Sequence, residues 1–483
     1  MADTATSESG TTDGKAPTIF VLFGATGDLA KRMVLPAFYE LAREGLLPEQ
    51  WALVGNGRGR KTDDEFRKHV RSALEEFGPD AGVEAVEDKA WSEFSDRVRF
   101  AGNGFTSDDA GDLPSVISDL KDELGSDVQL VHYIALPPST FVDYTKALGA
   151  HDLAEGARVV YEKPFGTSQK NFEELDEAVH EVVDEKQVYR IDHFLGKENT
   201  QNLHILRFAN GMVEGIWNRE HVEQVQIDVP ETLDIDDRAE FYDATGAVLD
   251  MLVTHLFQVA AEVAMEPPLS LGADDLQTAR ESVIAAFRPL DTSEVVLGQY
   301  RGYQDVEGIA DDSTTDTFVA ARMWVDTDRW RDVPFVLRTG KMLGTSAQRV
   351  SLVFRRPDGP VKHLPSDGAV LSFDLSGDGR VNVAMTVKEP GPGEDLGIGR
   401  MSLDLSSVSD AEPLSPYSRL ILDVLKGDRS LFTRPDGLAH VWQVAAPLLS
   451  NPPAVLPYEQ GSMGPGEANE LASPCGWLIT KDE

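Results

Sequence analysis

The chain predicts two domains: an α/β domain with a mostly parallel sheet, then a larger α+β domain with a broad, mainly antiparallel sheet and covering helices. Three observations predict it. Between residues 17 and 190, short apolar runs alternate with amphipathic stretches, the pattern of strands joined by crossover helices. Beyond residue 205, strand-like runs follow one another with few helices between them. The length of 483 residues fits two domains or one large one, and 41% hydrophobic residues is enough to bury a sizeable core. With 82 acidic against 44 basic side chains, a net charge of -38, the chain would be repelled by phosphate backbones and anionic lipid, so no nucleic-acid or membrane partner is expected. Excess acid is also the balance of a salt-adapted surface. One cysteine, Cys475, makes neither an internal disulfide nor a thiolate metal cage, which fits a reducing cytoplasm, and no metal is expected.

Residues 1–16 (MADTATSESGTTDGKA) lack the basic start and apolar stretch of a signal peptide and are expected to form a disordered tail. No apolar run approaches the roughly 20 residues of a membrane helix. TIFVLFG (18–24), ATGDLAKRM and LPAFYELAREGL read as strand, glycine turn and helix. WALVG (51–55) leads into a basic turn and the amphipathic DDEFRKHVRSALEEF. VRFAG with PSVISDLKDEL, QLVHYIALPP with TFVDYTKALG, RVVYEKPF with NFEELDEAVHEVV, and QVYRIDHF complete a first domain placed at 17–190. The second, at 191–483, holds the strand-like EQVQIDV, RMWVDT, VPFVLR, QRVSLVF, AVLSFDL and VNVAMTV and the helical stretch Ala247 to Met265. SPYSRLILDVLKGDRSLF and GLAHVWQVAAPLL are expected as helices covering its sheet, and GPGEDLGIG (391–399) as a mobile loop.

Candidate residues emerge from these positions. Gly24, Ala25, Thr26 and Gly27 follow the first strand and open a helix, so their backbone N–H groups and the helix dipole can face a pyrophosphate, which makes the first domain a Rossmann-like, dinucleotide-binding one. The three-glycine fingerprint is incomplete, because Ala30 stands where its last member would be, and a plain tight turn is the competing reading. The second strand ends without a ribose-binding acid and carries Arg58 and Arg60 instead, donors suited to the 2′-phosphate of NADP, or else solvated loop arginines. In RIDHFLGKE, His193 and Lys197 share a face if the stretch is helical and offer two donors to a phosphate. His255 lies beside the apolar stripe Val248, Leu252, Leu256 and Val259; it is a buried structural histidine or, given a carboxylate such as Asp192, a general base. Asp250 falls about 140° from His255 around an ordinary helix and would meet a substrate from another edge.

Taken in order, FGATGDLAKR, HYIALPP, YEKPFG, RIDHFLGKENTQNL, RFAN with IWNRE, RTGK and GSMGPGEA resemble the glucose-6-phosphate dehydrogenase family from about residue 18 to the end. The resemblance implies oxidation of glucose 6-phosphate to 6-phosphogluconolactone with NADP, and a homodimer or homotetramer formed through the large sheet. It implies His255 as base and Asp192 as its partner. His193 and Lys197 would bind the sugar phosphate, and Lys163 would contact sugar and coenzyme. Glu231, Asp250 and Lys341 would meet the sugar, and Gly24 to Gly27 with Asp28, Leu29 and Arg58 the coenzyme. The chain departs from the family pattern at Met33 (usually lysine), Phe194 (usually tyrosine), Thr254 (usually asparagine), Leu249 (usually arginine) and Ser346 (often basic). These departures leave open the same chemistry on another sugar or phosphosugar. A catalytically silent regulatory homologue is the remaining alternative, opposed by the presence of His255 and Lys163.

Overall fold

The computed structural model describes residues 16–481 except 84, 236–237, 366–367, 378 and 410–412, so the tail expected at 1–16 lies almost wholly outside the described residues. The chain forms two compact units. The first takes in the described residues up to Phe165, then Glu173–His193 and Leu414–Phe432; the second takes in Gly166–Phe172, Phe194–Pro413 and the chain from Thr433 on. The sequence placed a single boundary at 190/191.

In the first unit, β1 (Thr18–Phe23), β2 (Trp51–Asn56), β3 (Val98–Ala101), β4 (Gln129–Ile134), β5 (Arg158–Tyr161) and β6 (Val188–Arg190) form a six-stranded sheet in the order β3-β2-β1-β4-β5-β6. Every neighbouring pair is parallel. β1 and β2 are buried at every position, as strands covered on both faces must be. Strand order reverses between β1 and β4, the switch point where a doubly wound sheet opens a crevice for a nucleotide.

Helix Pro416–Lys426, expected over the second domain's sheet, packs in the first unit instead. It buries Leu420, Ile421, Val424 and Leu425 and lies against helix Leu35–Arg43. Ser418 donates to Ala37 O at 3.2 Å and also meets the Glu40 carboxylate. Arg158 Nη1 donates to the carbonyls of Val424 and Leu425, each at 2.8 Å, satisfying groups that the helix end leaves open. Amphipathic spacing shows that a helix has a buried face and is silent on which core receives it.

In the second unit, β7 (Val222–Pro230), β8 (Val295–Tyr300), β9 (Phe318–Met323), β10 (Phe335–Gly340), β11 (Arg349–Phe354), β12 (Ala369–Asp374), β13 (Val381–Lys388), β14 (Leu396–Leu403) and β15 (Val455–Tyr458) form one sheet in the order β14-β13-β12-β11-β7-β10-β9-β8-β15. Its pairs are antiparallel except β7/β10 and β8/β15. β14 corrects the second half of the loop expected at 391–399: residues 391–395 lie outside any strand, but Gly397 and Gly399 lie opposite Val387 and Met385 in full register. Their glycines read as loop signals, yet the cross-strand partners supply the side chains that fill this face.

Residues Ala239–Ala264 form a helical stretch of 26 residues, long and apolar enough by composition to cross a membrane, where the sequence suggested no run of that length. Its apolar window is 89% buried inside the protein. The stretch bends at Gly246, whose φ of 63° and ψ of 178° leave the helical region. A Cβ at Gly246 would sit 2.7 Å from Asp316 Oδ1, so no side chain fits there without displacing Asp316.

Candidate active site

The glycine turn in the first unit leads from β1 directly into the start of a helix, the place where a pyrophosphate can be held. Gly24 has φ 73°, and a Cβ on it would lie 2.5 Å from Ala135 O, so glycine is needed both for the turn and for the neighbouring strand end. Gly27 N donates to Gly24 O at 2.8 Å, and the helix starts at Asp28 with Gly27 and Asp28 exposed. Residues Ala30–Val34 are π-helical, which widens the first turns before helix Leu35–Arg43. Of the two arginines after β2, Arg60 donates to Asn103 Oδ1 at 3.1 Å. Arg58 is exposed, and among the described residues no hydrogen bond or ion pair engages it. The two basic runs meet in space: Lys31 and Lys61 both add to the burial that depresses the pKa of His69, whose ring also bonds the backbone of Ala25 in the glycine turn. A turn closed to a Cβ at Gly24, with cationic groups beside it, fits a dinucleotide carrying an extra phosphate.

At the C-terminal ends of β5 and β6 the same unit holds three further candidates. Lys163 is half-buried, after the fully enclosed Glu162. Asp192 is 2% exposed. The strand before it is pinned by Arg190, which pairs with Asp176 at 2.7 Å and Glu185 at 2.9 Å. His193 lies nearly parallel to the Tyr417 ring, with centroids 6.4 Å apart.

The second unit carries the remaining candidates. Phe194 packs its ring 4.6 Å from the imidazole of His255, which is itself completely buried. The Lys197 ammonium lies 3.8 Å from the Phe194 ring centre and donates to the side-chain oxygen of Gln348. His193 and Lys197 do not share one helix face as the spacing suggested. The first helix is a single turn, His193–Gly196, and Lys197 is an extended residue at the start of helix Glu198–Phe208.

A second correction concerns His255 and Asp250. Residues Val248–Leu256 are π-helical, with the Phe257 N–H donating to Leu252 O. Thr254 bonds Leu249 O with its hydroxyl, again five residues back. Where turns close over five residues, Asp250 and His255 stand near one face of the helix, and the 140° separation of a 3.6-residue turn does not apply. The departures Leu249 and Thr254 are themselves the ends of one of these contacts. Asp250 is buried, and it raises the pKa of the Tyr242 phenol, already well up through burial. Lys341 lies 5.9 Å from the Tyr242 ring centre and pairs with Glu231 at 2.7 Å, the two following paired strand ends of β10 and β7. Ser346 Oγ accepts from Thr232 N at 2.8 Å, so this departure fixes the backbone beside Glu231. Met33 is exposed at the surface of the first unit.

Sequence reasoning missed Tyr133, Glu162, Tyr417 and Gln348. Tyr133 and Glu162 lay inside motifs already singled out, HYIALPP and YEKPFG, where the neighbouring lysine drew attention. Tyr417 and Gln348 gave no local signal.

Comparison with known proteins finds matches over nearly all of the chain. Residues 21–202 match the model for the glucose-6-phosphate dehydrogenase NAD binding domain, and residues 204–477 match that for the glucose-6-phosphate dehydrogenase C-terminal domain. Glucose-6-phosphate 1-dehydrogenase 2 of Mycobacterium tuberculosis is 37% identical, over 95% of this chain and 94% of its own. The cytoplasmic glucose-6-phosphate 1-dehydrogenase 6 of Arabidopsis thaliana is 34% identical, over 95% and 92%. The crystal structure of the Mycobacterium avium glucose-6-phosphate 1-dehydrogenase superposes with a TM-score of 0.84 at 33% identity, covering 96% of this chain and 99% of that one. A glucose-6-phosphate dehydrogenase in complex with its substrate glucose-6-phosphate gives a TM-score of 0.87 at 29% identity, with the same coverage. With both halves matched, residues 21–202 and 204–477, the chain belongs to the glucose-6-phosphate dehydrogenase family.

Proposed function

We propose that this protein oxidises glucose 6-phosphate at its anomeric carbon to 6-phosphogluconolactone, with NADP as coenzyme. One observation carries the assignment of roles: Phe194, directly after His193 and two residues after Asp192, packs on the His255 ring. The chain segment that bears the acid and the phosphate donors therefore leads straight onto the proposed base. Bound NADP supplies the acceptor for the hydride that leaves the anomeric carbon. His255 takes the proton of the anomeric hydroxyl as the carbonyl of the lactone forms, and Asp192 orients the imidazole and stabilises its charged form. His193 and Lys197 hold the sugar phosphate, and Lys163 contacts the sugar and the coenzyme. Glu231, Asp250 and Lys341 hold the sugar hydroxyls, with the π-helical turn bringing Asp250 toward the side of His255. Gly24, Ala25, Thr26, Gly27, Asp28 and Leu29 receive the pyrophosphate, and Arg58 receives the 2′-phosphate.

The reading extends to a cytoplasmic homodimer or homotetramer. β13 and β14 turn Met385, Val387, Met401 and Leu403 to one face, each more than 40% exposed, and a second sheet of the same kind would cover them. Burial pushes the Cys475 thiol up to about 11, so at neutral pH it is almost entirely protonated. A panel of glucose 6-phosphate, other hexose phosphates and free glucose, each with NADP and with NAD and followed by absorbance of the reduced coenzyme, tests the assignment. Turnover led by glucose 6-phosphate with NADP is expected. Faster turnover of another sugar transfers the same chemistry to that substrate, and no turnover with any of them leaves a silent homologue.

A further inference from the structure

Glu162 is a fully enclosed carboxyl group to which the mechanism above gives no task, and its surroundings are specific. Tyr133, on β4, donates its hydroxyl to Glu162 Oε1 at 2.5 Å. The Tyr417 hydroxyl, from helix Pro416–Lys426, and the backbone N–H of Lys163 also bond the carboxyl group, and the Lys163 ammonium acts on it electrostatically. Tyr417 then stacks nearly parallel on His193. One acid thus joins the residue that precedes Lys163 to a tyrosine lying on His193, within a single compact unit. A buried carboxyl with three donors is costly to leave half-satisfied, so its contacts fix the backbone at Lys163 and the ring of Tyr417 together.

We propose that Glu162, clamped by Tyr133 and Tyr417, is a positioning residue that holds Lys163 and His193 in register for the sugar phosphate. It touches neither substrate nor coenzyme and acts through those two side chains, so the inference rests on the roles given to them above. Burial pushes the Glu162 carboxyl up to about 7 against the pull of Tyr133, Lys163 and Tyr417. Near neutrality the group therefore exchanges between an anion that accepts every neighbouring donor and a neutral acid that must turn one of them away. Substrate affinity gains a dependence on pH that belongs to this group, and it is greatest where Glu162 is ionised.

The test uses Glu162→Gln and Tyr417→Phe in the full-length protein, with KM and kcat for glucose 6-phosphate measured from pH 5.5 to 8.5 at saturating NADP. Glutamine imitates the neutral acid. For Glu162→Gln, KM at pH 8 should rise about 10-fold or more, the worth of a hydrogen bond to a charged group, with kcat kept within about 2-fold. The ratio of wild-type to variant kcat/KM should climb as pH rises through 7 and approach one below pH 6. That ratio cancels the titration of the substrate and of every group common to both proteins, so a merely structural role would leave it flat. Tyr417→Phe should raise KM by about 3 to 10-fold at pH 8, since one donor to the charged form is lost. A flat ratio, or wild-type KM in both variants, overturns the proposal; if Glu162→Gln does not fold, Tyr417→Phe decides alone. Lys163→Ala is the control: a raised KM there with normal Glu162→Gln kinetics sinks only the positioning role, whereas an unaffected Lys163→Ala sinks the assignment beneath it.

Discussion

His255 is enclosed by protein, and the proposal that it is the base predicts a large loss when its ring nitrogen is replaced by an amide. His255→Asn should fold normally and lose about 100 to 10,000-fold in kcat, with KM changed far less. Near-normal turnover would remove His255 from the chemistry. Arg58→Ala should raise KM for NADP by roughly 10 to 150-fold and hardly touch that for NAD; equal losses with both coenzymes would show an arginine that supports its loop. Phe194 bridges His255 and Lys197, and a hydroxyl on its ring adds a donor where a phosphate is expected. Phe194→Tyr should tighten glucose 6-phosphate by about 1 to 3 kcal/mol and leave free glucose unchanged; no gain would mean that no phosphate oxygen lies within the ring's reach. At this scale the sequence directs attention to Lys163, His193 and Arg58, because residue type and motif coincide there. It was blind to Gln348 and Tyr417, which reach their partners from more than 150 and 200 positions away.

The elements explain where helical arithmetic failed. The stripe of Val248, Leu252, Leu256 and Val259 reads as an ordinary helix, because hydrophobic spacing barely changes over so short a π segment, while the angle between two particular residues changes greatly. The start of that segment is held from outside the helix: Asp316 accepts the Val248 N–H at 2.8 Å through its side chain, and its carbonyl accepts the Ala247 N–H at 2.8 Å. No periodicity could announce a cap contributed by a residue 68 positions downstream. Helix Ala273–Ile284 offers a stability test. Burial pushes the Glu281 carboxyl up to about 7, ahead of the opposing pull of Arg280 and Arg434. Because its pKa is raised on folding, this group favours the native state most below the ordinary carboxylate range and loses that contribution as pH climbs to 7 and beyond. Glu281→Gln should therefore melt close to wild type at pH 5 and a few degrees higher at pH 8. A lower melting temperature at pH 8 would mean that attraction to the two arginines outweighs burial.

For the whole molecule the dominant fact is charge. A net charge of -38 makes the folded chain repel itself, and salt shortens the range of that repulsion from about 10 Å at 0.1 M to about 3 Å at 1 M. Raising KCl over that interval should raise the melting temperature; a flat or falling response would place the acidic groups too far apart, or too well paired, to matter. Fold class was legible because alternation of strand and helix is written locally, whereas strand order is set by pairings between distant segments. The return of Leu414–Phe432 to the first unit was not legible either, since nothing in a helix names its distant neighbours. That return has a consequence for synthesis on the ribosome. The N-terminal unit emerges first but lacks Leu420, Ile421 and Val424, which helix Pro416–Lys426 buries in it, until translation has passed residue 432. Helix Leu35–Arg43 must wait without this packing partner while nearly all of the second unit is being made, so the first unit completes its core only late in synthesis.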